Sequence, residues 1–429
     1  MGTLNSVRSR LSKSLQSPVI RGTLWKIAAR ISSLFLQSAY FLIIARSLGT
    51  EQYGLFVGVM ALVKITVPFS TWGSTHILVK HVSRDRSLLQ AYLGNALWIT
   101  LALGSTLIVS LLILNQFVLP VHFPWLLLLY IGLAELIFAR FHDAALKAFL
   151  STDLFGLDAQ LNILLSINGL VAASCLLFLD QSATAMIWGL LYLTSRLVTA
   201  LIGIWLVSRH LGRPKPQLGL MKSEIKDGFY FSVDLSSQTI YNDIDKTMLA
   251  SMSTLNATGI YGAAYRIIEV GLIPVGALLG ACYAQFFRSG AQGIAGSLSF
   301  ARKIVPTAAT YGAIASLGLW ICAPLVPLVL GESYIDAVSA LRWLSPLIFL
   351  KSVQLFAADT LTGAGLQGWR SSLQAGIAVL NSLLNLWLIP MYSWQGAAFS
   401  TLISDSFLAI VLWVLIYMFH RKQVRSGSS

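Results

Sequence analysis

Residues 45–73 read ARSLGTEQYGLFVGVMALVKITVPFSTWG. From Leu55 to Phe69 every side chain is apolar or small except Lys64 and Thr66. A run of this kind suits hydrocarbon on all sides rather than on one stripe. Lys64 stands near its middle, where a charge costs about 2.5–3.5 kcal/mol on insertion scales. An ammonium group at that depth needs a partner, a water-filled cavity or a ligand.

The same texture extends through the chain. Its 429 residues are 56% hydrophobic and 11% charged, with a mean hydropathy of +0.73. Soluble domains carry about twice that charged fraction. The apolar residues come in runs near the roughly 20 residues that cross a bilayer. A soluble α/β protein would need shorter runs and far more surface charge. The three cysteines, Cys175, Cys282 and Cys322, are scattered through apolar runs. They form no disulfide framework or metal motif and are expected to pack as small core residues. The N-terminus, MGTLNSVRSRLSKSLQSPVIRG, is polar and basic, without the pattern of a cleavable signal peptide.

The runs predict an all-α integral membrane protein with twelve spans, at 22–46, 52–73, 88–114, 123–147, 154–179, 183–208, 228–252, 258–287, 303–330, 336–360, 370–390 and 395–419. Alternate loops then separate by charge. The N-terminus, the even-numbered loops and the C-terminus hold 20 of the 30 Lys and Arg residues, and the opposite loops hold only Arg46. The positive-inside rule therefore places both termini in the cytoplasm and explains the net charge of +13 without nucleic acid. The expected organisation is a basic segment (1–21), an N-lobe of six helices (22–208), a cytoplasmic linker (209–227), a C-lobe of six helices (228–419) and a tail (420–429). The non-cytoplasmic loops are too short to hold a folded domain.

The halves echo each other. Tyr53-Gly54 opens span two and Tyr261-Gly262 opens span eight, each followed by a proline, Pro68 or Pro274. Duplicated halves with matching helix interruptions point to transporters with a central site. Gly54-x-x-x-Gly58 and Gly276-x-x-x-Gly280 also have the spacing of close helix packing.

Nine basic residues fall within spans: Lys26, Arg30, Lys64, Arg140, Arg196, Lys246, Arg266, Arg342 and Lys351. Arg140 with Asp143, Asp143 with Lys147, Asp243 with Lys246, and Arg266 with Glu269 have spacings that allow ion pairs on one helix face. Lys64, Arg196 and Lys351 have no acid at three or four residues, and Arg30 has only Lys26. These four either pair between helices, with Glu135, Asp234, Asp359 or Asp405, or hold an anionic ligand such as a phosphate, pyrophosphate or acidic sugar. Trp72, Tyr241 and Tyr265 suit interfacial belts or packing, with stacking on sugars as the alternative. His142 beside Asp143 is the one histidine whose neighbour suggests proton handling. Motifs for ATP hydrolysis, Ser or zinc hydrolases and metal clusters are absent, and the sequon at Asn256 is discounted as chance.

The run from Arg21 through ARSLGTEQYGLF resembles the opening of the polysaccharide-biosynthesis branch of the multidrug/oligosaccharidyl-lipid/polysaccharide (MOP) exporter superfamily. NDIDKTMLASMSTLNATGIYGAAYRI, GESYIDAVSALRWLSPLIFL and NSLLNLWLIPMYSWQGAAFSTLISD resemble its later signatures, in order. The likeness covers nearly the whole chain and is to Wzx-type flippases. It implies a V of two pseudo-symmetric six-helix lobes with alternating access in a bacterial inner membrane. The implied cargo is an oligosaccharide on polyprenyl pyrophosphate, usually undecaprenyl, for O-antigen, capsule or exopolysaccharide, with no cofactor and no covalent chemistry. Polymerases and glycosyltransferases are the implied working partners. A cationic cavity would use Arg30, Lys64 and Arg266, with Arg196, Arg140 and Lys351 as further candidates. Glu135, Asp234, Asp359 and Asp405 are candidate proton or sodium sites. Counting from Gly262, the second-half equivalent of Lys64 is Leu272, so Lys64 belongs to one half only. The rival readings are a MATE-like small-molecule antiporter, a lipid II flippase, and a membrane glycosyltransferase or polymerase.

Overall fold

The first long helix, α1 (Pro18–Thr71), is two helices joined at Gly49, whose φ of 68° and ψ of 177° lie outside the helical region. Glycine is the residue that tolerates such a break. The computed structural model describes residues 18–117, 122–179 and 183–426. The side chains of 18–31 and of Lys222, Ser223, Asp227, Tyr230, Phe231, Asp234, Ser237, Gln238 and Ser426 fall outside that description. The described residues are almost wholly helical and contain no strand.

After α1 come α2 (Ser74–Val82), α3 (Leu89–Phe117), α4 (Trp125–Gly132), a π-helical turn (Leu133–Phe138), α5 (Ala139–Ser151), α6 (Phe155–Leu176) and α7 (Ala185–Leu211). Next are α8 (Ile225–Met252), α9 (Leu255–Gly271), α10 (Ile273–Gly290), α11 (Ile294–Cys322), α12 (Val326–Leu330), α13 (Ala337–Leu344), α14 (Pro346–Gly363) and α15 (Gln367–Ser426). Local chemistry sets several boundaries. Thr184 and Thr254 cap α7 and α9 by accepting from the N–H groups of Ile187 and Ala257, at 3.3 and 3.1 Å. Pro274 stands in the first turn of α10, where no N–H is needed, and α9 and α10 meet at 43°. Helix α15 breaks at Ser393, with a φ of 54°.

Among the described residues, eight helical stretches are long and apolar enough to cross a membrane, or nine if the bent pair α9–α10 is one span. The protein is a multi-pass membrane protein. All twelve ranges expected from the sequence fall on helix; two pairs of them share α1 and α15, which their internal breaks divide. Helix α8, which carries Asp243, Asp245 and Lys246, is not among these stretches. Helix α11 begins at Ile294, ahead of the span expected from 303, so Arg302 lies on helix.

The chain divides into two compact units. The first takes residues 18–47, 66–117 and 122–233 of those described, and the second takes 48–65 and 234–426. Leu78, Leu93, Ala145, Ala148, Phe149, Leu161 and Val207 form a buried cluster in the first unit. In the second unit one cluster gathers Leu298, Ala357, Leu361, Leu408 and Ile416, and another gathers Val275, Phe286 and Phe356. The outward faces are apolar too, with Val109, Ile113, Leu201, Ile314, Leu317 and Ile410 all exposed. This is the pattern that hydrocarbon around the helices produces. It also corrects the expectation for cysteine: Cys175 and Cys322 lie on exposed surface rather than in a core, and Cys282 is half-buried. Small size suits a lipid-facing position as well as a packed one.

The linker is held against the first unit. Asn95 Nδ2 donates to Gln217 O at 2.9 Å and Gln217 N–H returns a bond to Asn95 Oδ1 at 2.6 Å. Lys215 N–H donates to Gln90 O at 2.8 Å. Glu224 meets Lys80 at 3.0 Å and His81 at 2.8 Å, and the His81 ring stacks on Tyr92.

Within the second unit the two echoing segments pack on each other. A Cβ on Gly54 would lie 1.8 Å from Leu255 O, and one on Gly259 would lie 1.9 Å from Thr50 O. Backbones approach this closely only where side chains are missing. The parallel expectation for Gly276 and Gly280 is corrected, since a Cβ at either would meet nothing within 4 Å. Val275 and Phe286, on another face of α10, make its packed contacts.

Candidate functional site

A polar cluster in the second unit is assembled from four helices, three of which supply i, i+4 pairs. Helix α8 supplies Tyr241 and Asp245, with Asp243 and Lys246 beside them; α9 supplies Tyr261 and Tyr265; the last limb of α15 supplies Thr401 and Asp405; and α14 supplies Lys351. Side chains four apart share one helix face. Polar pairs at this spacing in apolar helices were the signal that could have singled out Asp245, Tyr261 and Thr401, none of which the sequence picked out as a site residue.

Lys246 Nζ lies 2.8 Å from Asp243 Oδ1, 2.7 Å from Asn242 O and 3.7 Å from Asp245 Oδ1, and it sits 4.0 Å from the centre of the Tyr265 ring. Asp245 accepts from the Tyr261 hydroxyl and, at 3.5 Å, from Thr401 Oγ1. Lys351 Nζ is 3.4 Å from Asp405 Oδ1 and 5.2 Å from the centre of the Tyr241 ring. The Tyr241 hydroxyl donates to that same carboxylate oxygen. Asp405 is fully buried, and its Oδ2 has no hydrogen-bond partner among the described residues. Tyr241 and Tyr265 are both buried within this network, and Trp72 packs on Phe229 and donates to Ile225 O at 3.0 Å, all three following the packing alternative.

Lys64 differs from Lys246 and Lys351. It is exposed and makes no hydrogen bond or ion pair among the described residues. Lys64 and Lys351 are both near enough to act electrostatically on Asp243. Pro68, four residues on, has no N–H to offer the Lys64 carbonyl, which loosens the helix at that turn. Arg266 pairs with Glu269 at 2.7 Å, as its spacing allowed.

The first unit holds a smaller cluster. The π-helical turn carries Glu135, and α7 carries Tyr192 and Arg196. The Tyr192 hydroxyl donates to Glu135 Oε1 at 2.5 Å, and Arg196 Nη2 donates to Tyr192 at 2.6 Å while lying 3.4 Å from Glu135. A π turn offsets the helix by one residue and is often found at functional sites. Arg140 donates from Nε to Glu135 O at 3.3 Å. Its expected pairing with Asp143, and that of Asp143 with Lys147, are not formed among the described residues. His142 is buried against Leu161 O rather than bonded to Asp143.

For Arg196 and Lys351 the interhelical alternative is therefore the one found, with Glu135 and Asp405 as partners. Asp359, expected to serve a membrane cation, instead meets Arg370, in the first turn of α15, at 3.2 Å. Arg30 lies on α1 and Asp234 on α8, but their side chains fall outside the described residues. No group of three His, Cys, Asp or Glu suited to a metal occurs among the described residues.

The model of a family described as polysaccharide biosynthesis protein matches residues 19–287, more than half of the chain. The chain belongs to this family. In fold it is similar to an inward-facing multidrug-resistance MATE transporter of the MOP superfamily, with a TM-score of 0.67, 18% identity, and coverage of 94% of this chain and 100% of that one. An outward-facing MATE structure aligns with a TM-score of 0.60 and 18% identity over 95% and 97% of the two chains. A MOP transporter from Pyrococcus furiosus aligns at 0.63 and 16% identity over 92% and 95%, and its binding pocket is described as having reverse polarity that suggests a different function. In sequence, no curated protein matches the chain. This member of the polysaccharide biosynthesis family thus has a fold similar to that of MOP-superfamily transporters.

Proposed function

We propose that this protein is a flippase for lipid-linked oligosaccharides, moving repeat units on a polyprenyl pyrophosphate from the cytoplasmic to the outer leaflet of a bacterial inner membrane. The observation that carries the proposal is the match to a polysaccharide biosynthesis family on a transporter fold. Lys64, exposed and without an ion pair, is the cation of the second unit best placed to meet a pyrophosphate or acidic sugar. Lys246 and Lys351 are already neutralised by aspartates and would join only if cargo drew them away. Translocation makes and breaks no covalent bond. A proton or sodium gradient would supply the drive, with Glu135 and Asp405 as the candidate carboxylates, each bonded to a tyrosine hydroxyl.

A second reading, antiport of a cationic small molecule, draws support from the same pairing. Asp243, Asp245 and Asp405 balance Lys64, Lys246 and Lys351, so the cluster carries no surplus positive charge. Deletion of the gene separates the two readings. Loss of surface glycan with accumulation of lipid-linked repeat units facing the cytoplasm is the expected result. Intact glycan with raised drug sensitivity would transfer the function to the antiporter.

A further inference from the structure

Arg342 borders a pocket on the surface of the second unit. It lies on α13, exposed, with its guanidinium 5.0 Å from the centre of the Trp320 ring and its Nε 3.4 Å from Trp320 O. No carboxylate pairs with it among the described residues. A pocket of about 430 Å³ opens beside it, lined by Trp320, Ser339, Arg342, Trp343, Pro346 and Leu402. Trp343 packs edge-on to Phe399 at 4.6 Å, and both rings remain partly exposed.

The surroundings say what kind of molecule fits. Trp320 lies two residues before the end of α11 (Ile294–Cys322), and Arg342 lies in the first turns of the stretch Ala337–Gly363. The pocket thus lies where α11 ends and the next membrane stretch begins, and tryptophan and arginine are the residues that meet lipid headgroups at such ends. The side chains beyond it, Ile314, Leu317, Ile321 and Ile403, are exposed and apolar, as an acyl chain requires. A guanidinium held on an indole keeps its outer N–H groups free for a phosphate, and the exposed Ser339 hydroxyl adds a donor. The lining has no carboxylate to receive an ammonium headgroup.

We propose that this pocket binds a phospholipid with an anionic headgroup, its phosphate on Arg342 and Ser339 and its acyl chain along Pro346 and Leu402. The site does not depend on the identity of the cargo. It gives the second unit a fixed lipid contact that would favour anionic membranes.

Native mass spectrometry of the full-length protein in detergent, titrated with phosphatidylglycerol or phosphatidylethanolamine, tests it. The wild type should retain one more phosphatidylglycerol than Arg342→Ala, whose apparent affinity at that site should fall about fivefold. Arg342→Lys should fall between them, because an ammonium cannot bind a phosphate in bidentate fashion. Ser339→Ala, at an exposed hydroxyl, should lose a smaller factor and gives an independent readout if Arg342→Ala does not fold. Equal retention by wild type and variants, or equal binding of both lipids, would overturn the proposal. Preferential retention of polyprenyl phosphate over phosphatidylglycerol would overturn it too, by making the pocket a cargo subsite.

Discussion

Lys351 Nζ lies 3.4 Å from Asp405 Oδ1, so an ammonium on α14 is neutralised by a fully buried carboxylate on α15. The Tyr241 hydroxyl from α8 donates to the same oxygen. Three helices of the second unit therefore meet on one carboxylate group.

Removing either member should leave the other uncompensated. Lys351→Ala is expected to destabilise the purified protein by about 3–5 kcal/mol, the usual cost of breaking a buried pair. The double variant Lys351→Met/Asp405→Leu should recover much of that loss, because it removes both charges. Thermal unfolding in detergent reads both. A double variant as unstable as Lys351→Ala would mean that the pair is not the source of the cost.

Lys64 should behave in the opposite way. It has no bonded partner to lose, so Lys64→Ala should change stability by no more than about 0.5 kcal/mol. Under the flippase reading it should abolish or sharply reduce surface glycan at matched protein level, and Lys64→Arg should restore it. Normal export by Lys64→Ala would remove Lys64 from the site.

The glycine crossing in the second unit gives a steric prediction. Gly259→Ala places a methyl group within 1.9 Å of Thr50 O and should cost about 1–3 kcal/mol or more as the helices separate. Gly276→Ala, with open space around it, should be neutral or slightly stabilising, since alanine is the better helix former. The two melting temperatures, compared side by side, check the contrast.

The linker should loosen in acid. The bond from Lys80, followed by that from His81, holds the Glu224 carboxyl below the ordinary glutamate value of 4.5. A depressed carboxyl stabilises the folded contact above the unfolded value, and that contribution is lost as pH falls through the lower folded value. Limited proteolysis between Gly212 and Glu224 should therefore rise as pH drops below about 4.5, and Glu224→Gln should show raised cleavage already at neutral pH, with little further change.

Much of the helix pattern was legible because its cause is local. Each run of apolar residues answers to bilayer thickness whatever its neighbours are, so the helix ranges and the i, i+3 pairs Asp243–Lys246 and Arg266–Glu269 followed from spacing alone. The pairing of Arg140 with Asp143 had equally good spacing and is not formed. Arg140 instead reaches the carbonyl of Glu135, which stands on a π-helical turn that spacing at 3.6 residues per turn does not anticipate.

The sequence by itself determined a polytopic helical membrane protein of a polysaccharide-biosynthesis type, because hydrophobicity and short motifs are properties of the chain read in order. Only the tertiary structure decided which buried charges are spent on each other. Arg196 meets Glu135, Lys351 meets Asp405, and Tyr241 reaches an acid 164 residues away. Such pairs are set by which helix faces meet, and ionic contact falls off over a few ångströms in space without regard to separation along the chain.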